Sequence, residues 1–352
     1  MKNIIHERPG VYSSYDASSA VQGGRAPRAV GVAARSAGGT ANQPLRLTGY
    51  DQGLRAFGED APGAPGMSAI LKLLFLGGAS VVTAVKVDGE DYSAAFAALE
   101  AEEDAQIVVC DSGDLAVQQA LRASLEAASA ARRERIAVVG MDGASAEELT
   151  ERARALNSER MVLVGPDALD SAGEALPGVF AASAVAAAAA SARDPAIPLN
   201  GAPLPGLGGV SASYGDNEID LLIRGGVTPL EAAGGVVSPV RGVTTRTATG
   251  GAADPSWREL TTILIVDDVI PAIRRSLRSR FSRAKNTLQT RGAIRSQTIV
   301  ELENKLRAQI IDGYGDVSVS VCEDDPAVCL VAFSFSVAHG LNQIHLTAHI
   351  TI

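Results

Sequence analysis

Three aspartates follow short apolar segments in the middle of the chain, namely Asp111, Asp142 and Asp167. Each segment predicts a buried strand, and a predicted helix begins within a few residues of each aspartate. The carboxyl ends of parallel strands meet at one edge of a sheet, so these carboxylates could hold a divalent metal ion or a metal-bound phosphate. Aspartate after a strand is also the common residue that turns the chain and caps a helix, and we favour that role.

Motifs that would support catalysis are missing from the sequence. No G-x-G-x-x-G follows the segment 107–110, and the chain has neither a phosphate-binding loop with its lysine nor a G-x-S-x-G turn. His345 and His349 share one face of a predicted strand, but no cysteine or carboxylate stands beside them at the spacing of metal ligands. We therefore predict a protein that is not an enzyme and has no cofactor or metal. A metal-dependent enzyme that uses the three aspartates is the alternative.

A basic segment interrupts an otherwise acidic chain. The net charge is -9, yet residues 271–300 contain no acidic residue. The basic side chains of this segment are Arg274, Arg275, Arg278, Arg280, Arg283, Lys285, Arg291 and Arg295. Nucleic-acid binding is one hypothesis, but Phe281 is the only aromatic residue there, so a platform for stacking bases is missing. We favour an acidic protein partner, and a solvated helix face remains a further alternative.

Alternating strands and helices must position these residues. Apolar segments at 107–110, 136–139 and 161–164 are each followed by a predicted helix, a pattern typical of a doubly wound parallel sheet. A later helix is predicted to start near Asp254 and to be interrupted at Pro271, beyond which it turns basic.

The predicted fold class is multi-domain, combining α/β and α+β parts. Apolar residues make up 46% of the chain, and no apolar stretch is long enough to cross a membrane or to act as a signal peptide, so we expect a protein made in the cytoplasm with no membrane anchor. The predicted parts are an N-terminal arm (1–26), a small α+β domain (27–90), a doubly wound α/β domain (91–250), a C-terminal α+β domain with helices packed on a mixed sheet (251–343) and a C-terminal arm strand (344–352).

The last nine residues predict an unpaired strand. Apolar residues alternate with polar ones from Ile344 to Ile352, without a turn or a charged residue after them. A strand of this kind is an open edge that a soluble protein normally protects unless another strand pairs with it. We therefore expect the segment to bind a partner.

The order of segments resembles the sheath proteins of contractile phage tails and related injection machines. The segments that carry the resemblance are Arg8-Pro9-Gly10-Val11-Tyr12, Tyr50-Asp51 with Phe57-Gly58, Leu71 to Val87, Asp194 to Asn200, Asn217-Glu218 with Gly225-Gly226-Val227, Arg241 to Thr245, and Ser256 to Arg280. Each segment alone is a weak signal, whereas seven in order along the whole chain are specific.

This resemblance implies a structural subunit that polymerises as hexameric rings around an inner tube and contracts to drive the tube through a cell envelope. It implies arms that add strands to the sheet of another subunit, where residues 317–337 would receive them. The implied arm residues are Pro9, Gly10, Val11, Tyr12, Ile344, Leu346, Ile350 and Ile352, and the residues expected to face the tube are Arg274, Arg275, Arg278, Arg283 and Lys285.

The resemblance also implies the partners and the location. The partners would be further copies of the chain, an inner tail tube protein with an acidic surface, and baseplate and tail terminator proteins, without nucleic acid. The subunit would belong to a virion tail or tail-like particle assembled in the bacterial cytoplasm. A phage, a prophage element and an R-type bacteriocin all remain open.

Overall fold

The computed structural model describes residues 28–61 and 66–342, and the elements below are those of this part of the chain. The strands are β1 (Ala29–Ala34), β2 (Pro44–Leu47), β3 (Val82–Lys86), β4 (Ala105–Cys110), β5 (Ile136–Gly140), β6 (Met161–Gly165), β7 (Ala168–Leu169), β8 (Gly209–Val210), β9 (Val227–Ala233), β10 (Val236–Pro239), β11 (Ala248–Thr249), β12 (Ala252–Ala253), β13 (Gly313–Tyr314), β14 (Ser318–Val321), β15 (Cys329–Ala332) and β16 (Phe335–Ser336). The helices are α1 (Tyr50–Phe57), α2 (Met67–Leu76), α3 (Ser93–Ala101), α4 (Leu115–Ala130), α5 (Ala146–Leu156), α6 (Gly178–Ser191), α7 (Asp216–Arg224), α8 (Leu260–Phe281) and α9 (Leu288–Arg307). The described residues fall into two compact units, one formed by 194–196 and 262–339 and the other by the remainder.

An eight-stranded sheet organises the larger unit. Its strand order is β10-β9-β6-β5-β4-β1-β3-β2. The six inner strands run parallel, while β2 and β10 pair antiparallel at the two edges. Strands β1, β4, β5 and β6 are almost entirely buried on both faces, which explains why their sequences are nearly continuously apolar rather than alternating. This arrangement confirms the predicted α/β fold class.

Helices cover both faces of this sheet. On one face α3, α4, α5 and α7 bury residues such as Leu121, Leu149 and Leu222 in a common core with Val139 and Leu163 of the strands. On the other face α6 packs against β4, β5 and β6 and against α2. The larger unit is therefore a three-layer sandwich of helices, sheet and helices.

Helix α6 lies unusually close to the sheet because its side chains are small. Eleven of its fourteen residues are buried, and most of them are alanine. A Cβ atom added to Gly140 at the end of β5 would lie 2.1 Å from the carbonyl oxygen of Gly178, so the two backbones touch without intervening side chains. Glycine at both positions is what allows this approach.

The sheet also crosses the boundary predicted at residue 90. Strand β1 pairs with β3 on one side and with β4 on the other, so the residues predicted as a small α+β domain contribute three strands to the same sheet. The sequence pattern did not predict α1, whose Gly53 resembles a breaker. A Cβ there would lie 2.5 Å from Leu71 Cδ1, so glycine instead permits α1 to pack on α2.

The helix that carries the basic residues is longer and starts later than predicted. Helix α8 begins at Leu260 and continues through Pro271 to Phe281, so the predicted start near Asp254 and the predicted interruption are both wrong. Asp254 instead accepts a hydrogen bond from the Ser256 amide at 3.0 Å, which makes a local turn. Buried Ile270 and Ile273 flank the proline, and their packing outweighs the local cost that the sequence indicates.

Two short strand pairs of the smaller unit form one long antiparallel ribbon. Strand β14 pairs with β15, and β13 pairs with β16. Three residues separate β13 from β14 and two separate β15 from β16, so the register shifts by one residue between the pairs, as in a β-bulge. Helix α9 holds the ribbon through Arg295 Nε, which donates to the Val317 carbonyl at 2.7 Å, and through Glu303, which accepts from the Tyr314 hydroxyl at 2.5 Å.

We predict that Gly140→Ala strongly destabilises the larger unit. The added methyl group would force α6 away from β5 and should lower the free energy of unfolding by about 3 kcal/mol. Urea unfolding followed by circular dichroism measures this loss. Gly113→Ala is the matched control, since a Cβ there lies 3.9 Å from its nearest neighbours and should change stability by less than about 0.5 kcal/mol. Equal stability of the two variants would contradict the proposed packing.

Candidate functional site

Asp111, at the end of β4, is the centre of a hydrogen-bond cluster rather than an open ligand. One carboxylate oxygen accepts from the backbone amide and from Nε of Arg35, at 3.0 and 2.9 Å. The other accepts from the Tyr92 hydroxyl at 2.5 Å. Burial and the Asp111 hydrogen bond raise the pKa of Tyr92, and the hydrogen bond to Asp111 raises the pKa of Arg35. Both groups therefore keep their protons at physiological pH, and the cluster ties β1, β4 and α3 together.

Asp142 and Asp167 bond to backbone amides of other segments. Asp142 Oδ1 accepts from the amide of Gly178, the first residue of α6, at 2.7 Å. Asp167 Oδ2 accepts from the Gly143 amide at 2.6 Å. Asp142 therefore stabilises a helix N-terminus, but the helix is α6 rather than the next helix along the chain. The following helix α5 has its own capping box from Ser145 and Glu148.

The structure does not gather these carboxylates into a metal site. Across residues 28–61 and 66–342, no group of three or more histidine, cysteine, aspartate or glutamate side chains is arranged to hold a metal ion. Asp167 lines a cleft of about 540 Å³ with Glu147, Glu148, Tyr214 and Glu218. Burial raises the pKa of Asp167, and the nearby charge of Asp142 adds to this effect. The cleft is acidic, and none of its residues was singled out from the sequence except Asp167.

The predicted basic surface is divided between a helix and the segment that follows it. Arg275, Arg278 and Arg280 lie exposed on the last turns of α8, whereas Arg283 and Lys285 lie exposed on the connection 282–287. Arg274 is half-buried and engaged with other groups. Cations at the C-terminal end of a helix interact favourably with its dipole, which gives Arg278 and Arg280 a local stabilising role as well.

An acidic turn lies next to this basic connection. Asn286 Nδ2 donates to the Pro326 carbonyl at 2.8 Å and so joins the connection to the turn between β14 and β15. Glu323 and Asp324 of that turn are exposed. Positive and negative surfaces therefore meet within the smaller unit.

The hydrogen-bond pattern of the ribbon determines which backbone groups point outward. The Cys322 amide donates to the Val328 carbonyl at 3.0 Å, which makes these two residues a hydrogen-bonded pair. Hydrogen-bonded pairs alternate with non-hydrogen-bonded pairs along an antiparallel ladder. The backbone amide of Ser320 therefore points toward β15, while the backbone amides of Val319 on β14 and Val331 on β15 point away from the ribbon.

Both long edges of the ribbon therefore present backbone donors and acceptors. Within the described residues, β14 and β15 pair only with each other. Side chains of Val319 and Val321 are half-buried, while Ser318 and Ser320 on the opposite face are exposed. A two-stranded ribbon is marginally stable by itself, and a strand added at either edge would satisfy its unpaired groups.

Comparisons with known proteins identify what kind of chain carries these features. The family model described as the phage tail sheath protein central domain matches residues 85–245, and the model described as the phage tail sheath C-terminal domain matches residues 252–351. The chain belongs to the phage tail sheath family. Sheath proteins are structural subunits, so membership agrees with the prediction that the chain is not an enzyme.

Named relatives of the sheath chain agree with this assignment. A curated tail sheath protein of Bacillus phage SP01 is 29% identical over 224 residues, which are 62% of this chain but only 38% of that protein. The contracted helical sheath of the anti-feeding prophage has a TM-score of 0.73 at 16% identity, covering 98% of this chain and 99% of that one. The contracted PVC sheath of an extracellular contractile injection system has a TM-score of 0.70 at 14% identity, covering 99% of both chains. At these identities the structural likeness shows the fold alone.

Only some of the residues that the sequence analysis assigned to sheath contacts lie in the described part of the chain. The basic residues are there, and residues 317–337, expected to receive arms, form most of the ribbon. The arm residues Pro9, Gly10, Val11, Tyr12, Ile344, Leu346, Ile350 and Ile352 lie outside the described residues, as do His345 and His349. No helix of the described residues is both long enough and apolar enough to cross a bilayer.

We predict that Asp111→Asn and Asp167→Asn have different effects on stability. Asp111→Asn weakens the charge-assisted bonds with Arg35 and should lower the free energy of unfolding by about 1 to 3 kcal/mol. Asp167→Asn should have a smaller effect near neutral pH, because burial already disfavours the ionised form of Asp167. Urea unfolding of each variant checks both values.

The pH dependence separates the two roles further. A raised pKa in the folded state means that Asp167 adds stability below its ordinary pKa and that this stability is lost as the pH rises through the raised value. Asp167→Asn should therefore gain stability relative to the unmodified chain as the pH rises through the acid range. A stability difference that does not change with pH, or an Asp167→Asn variant that loses stability relative to the unmodified chain as the pH rises, would contradict the burial argument.

Proposed function

We propose that the chain is the self-polymerising subunit of a contractile sheath. Subunits stack as hexameric rings into a helical sleeve around an inner tube, and contraction of the sleeve drives the tube through a cell envelope. Family membership supports this proposal, and the fold matches chains that form a contracted helical sheath and a contracted injection-system sheath.

The ribbon carries the proposal, because its two edges are suited to accept strands from other copies. Arms of neighbouring subunits, residues 9–12 and 344–352, pair with the outward-facing groups of Val319 and Val331. The arms come from different copies, so the contact is heterologous and extends into an open helical assembly instead of closing into a dimer.

The approximate free energies of the proposed contacts indicate which of them survive contraction. Each added strand hydrogen bond contributes a net of about 0.5 to 1.5 kcal/mol. Burial of Ile344, Leu346, Ile350 and Ile352 contributes roughly 1.5 to 3 kcal/mol for each side chain as an upper range. Exposed ion pairs are worth only about 0 to 1 kcal/mol each. Arm strands therefore hold the subunits together while ionic contacts break.

The basic surface is proposed to face the inner tube. Arg275, Arg278 and Arg283 are exposed cations without an intervening acidic residue in their segment, and Arg274 and Lys285 extend the same positive region. An acidic tube surface would bind them through many weak pairs that separate cooperatively when the subunit moves. Baseplate and tail terminator proteins are the proposed partners at the two ends of the sleeve. The sleeve assembles in the bacterial cytoplasm as part of a virion tail or tail-like particle.

We expect a proline at Val319 to block polymerisation while leaving the subunit folded. Proline removes an outward-facing amide there but no hydrogen bond of the ribbon itself. Negative-stain electron microscopy should show tubes or rings for the unmodified protein and none for Val319→Pro. Val319→Thr is the matched control, since it keeps both the amide and the branched shape, and it should polymerise normally. Ser320→Pro should instead destabilise the ribbon, because its amide faces β15.

Deletion of residues 346–352 tests the other side of the same contact. The shortened chain should remain a folded monomer and form no tubes. Normal tubes from both Val319→Pro and the deletion variant would show that strand addition does not join the subunits.

Reversal of charge on the basic surface should weaken binding to the inner tube. The double variant Arg275→Glu and Arg278→Glu should lose most of its co-sedimentation with purified inner tubes, whereas Arg154→Glu, an exposed residue of α5, should bind as the unmodified chain does. Binding of the unmodified chain should weaken as salt shortens the screening length below about 10 Å. Equal binding by the double variant, or tight salt-sensitive binding of double-stranded DNA by the unmodified chain, would contradict the tube assignment.

A further inference from the structure

An apolar groove of about 370 Å³ lies beside the C-terminal end of α6. Small and apolar residues form its walls, including Ala188, Ala192, Ile197, Pro198, Ala202 and Pro203. The Ser191 hydroxyl, also in the wall, donates to the Ala188 carbonyl at 3.0 Å and is therefore satisfied. Ile197 on the rim is 59% exposed. The groove thus offers apolar surface suited to aliphatic side chains.

Both ends of the described chain come to this groove. Arg28 donates from its amide to the Ala190 carbonyl at 3.0 Å, and its guanidinium reaches the carbonyls of Ala189 and Ala192 at 3.0 and 3.1 Å. At the other end, a Cβ on Gly340 would lie 3.0 Å from Pro198 Cγ. Asn200 Nδ2 also donates to Asn342 Oδ1 at 2.8 Å. The segments before residue 28 and after residue 342 both start at the walls of the groove.

Sequence chemistry selects the C-terminal segment as the occupant. Residues 22–27 next to Arg28 carry no large apolar side chain, and the nearest is Val21. Ile344 follows Asn342 by only two residues, which span about 7 Å when extended. Leu346 lies on the same face of an extended chain, and no charged residue follows Asn342.

We propose that in the unassembled subunit this groove holds Ile344 and Leu346 of the chain's own C-terminal segment. The inference deepens the proposed function and rests on it, because the same apolar face is the one offered to a neighbour's ribbon. The segment has two competing sites, the groove before assembly and the ribbon edge afterwards. Docking in the groove keeps an open strand edge from pairing at random before a growing sheath end is present.

Disulfide trapping tests this site in the full-length chain. Ala202→Cys is combined with Ile344→Cys in a Cys329→Ser background, since Cys110 and Cys322 are buried. Ala202→Cys with His345→Cys is the matched control, because residue 345 lies on the opposite face of an extended segment. Oxidation at a dilution where electron microscopy shows no tubes should give several-fold more intramolecular disulfide for position 344 than for 345, measured by non-reducing gel and intact mass. Equal trapping, no trapping, or a disulfide between chains would overturn the proposal.

A charge placed in the groove provides a second measurement. Ala202→Asp should expose the segment, so carboxypeptidase should remove residues 343–352 several-fold faster than from Ala155→Asp, which places the same charge on the exposed side of α5. Equal rates would overturn the groove site.

The two proposals can fail separately. Loss of tubes on deletion of 346–352 together with equal trapping at 344 and 345 would support the arm role and contradict the groove site. Selective trapping at 344 together with normal tubes from the deletion variant would support the groove site and contradict the arm role.

Discussion

The close contact between α6 and the sheet is the constraint on which the larger unit depends. Glycine at 140 and 178 brings the helix to backbone contact with β5, and the run of alanines lets α6 cover its part of the sheet with small side chains. Arg28, which directly precedes β1, donates to three carbonyls in the last turn of α6 and so joins the start of β1 to the C-terminal end of that helix. A dense and rigid body results, and the polymer contacts proposed for this subunit lie outside its core.

The smaller unit differs from the larger one in how its strands are stabilised. Its ribbon has two strands and a one-residue shift of register, so much of its hydrogen-bonding capacity faces outward. Stability that the ribbon lacks alone would come from strands that other copies provide. Under the proposed function, polymerisation and folding of this part of the chain are coupled, whereas the three-layer body has a hydrophobic core of its own. This division suits the proposed contractile sheath, in which subunits would move as solid pieces yet remain linked.

Much of the fold could be predicted from the sequence, because continuous apolar segments such as 136–139 and 161–164 are specific for parallel strands buried on both faces. Helix α7 also has ordinary start and stop signals in the sequence, with Asp216 in its first turn and Gly225 directly after its last residue. Tertiary contacts determine the features that the sequence pattern did not predict. Pro271 remains helical because buried neighbours hold it, and Asp142 caps a helix 36 residues away, a pairing that local spacing does not contain. The assignment of the arm segments rests on the sequence pattern and the family resemblance. The outward-pointing amides of the ribbon could be identified only from the observed strand register.

The two open edges of the ribbon set a valence for each subunit. If each chain gives two arms, as proposed, and offers two edges, it has four joints, and inside the proposed sleeve every edge can be matched by an arm from another copy. At the two ends of such a sleeve this balance would fail, leaving unmatched edges at one end and unmatched arms at the other. Length control therefore becomes a problem of capping two chemically different ends, and the proteins that stop growth there need not resemble one another.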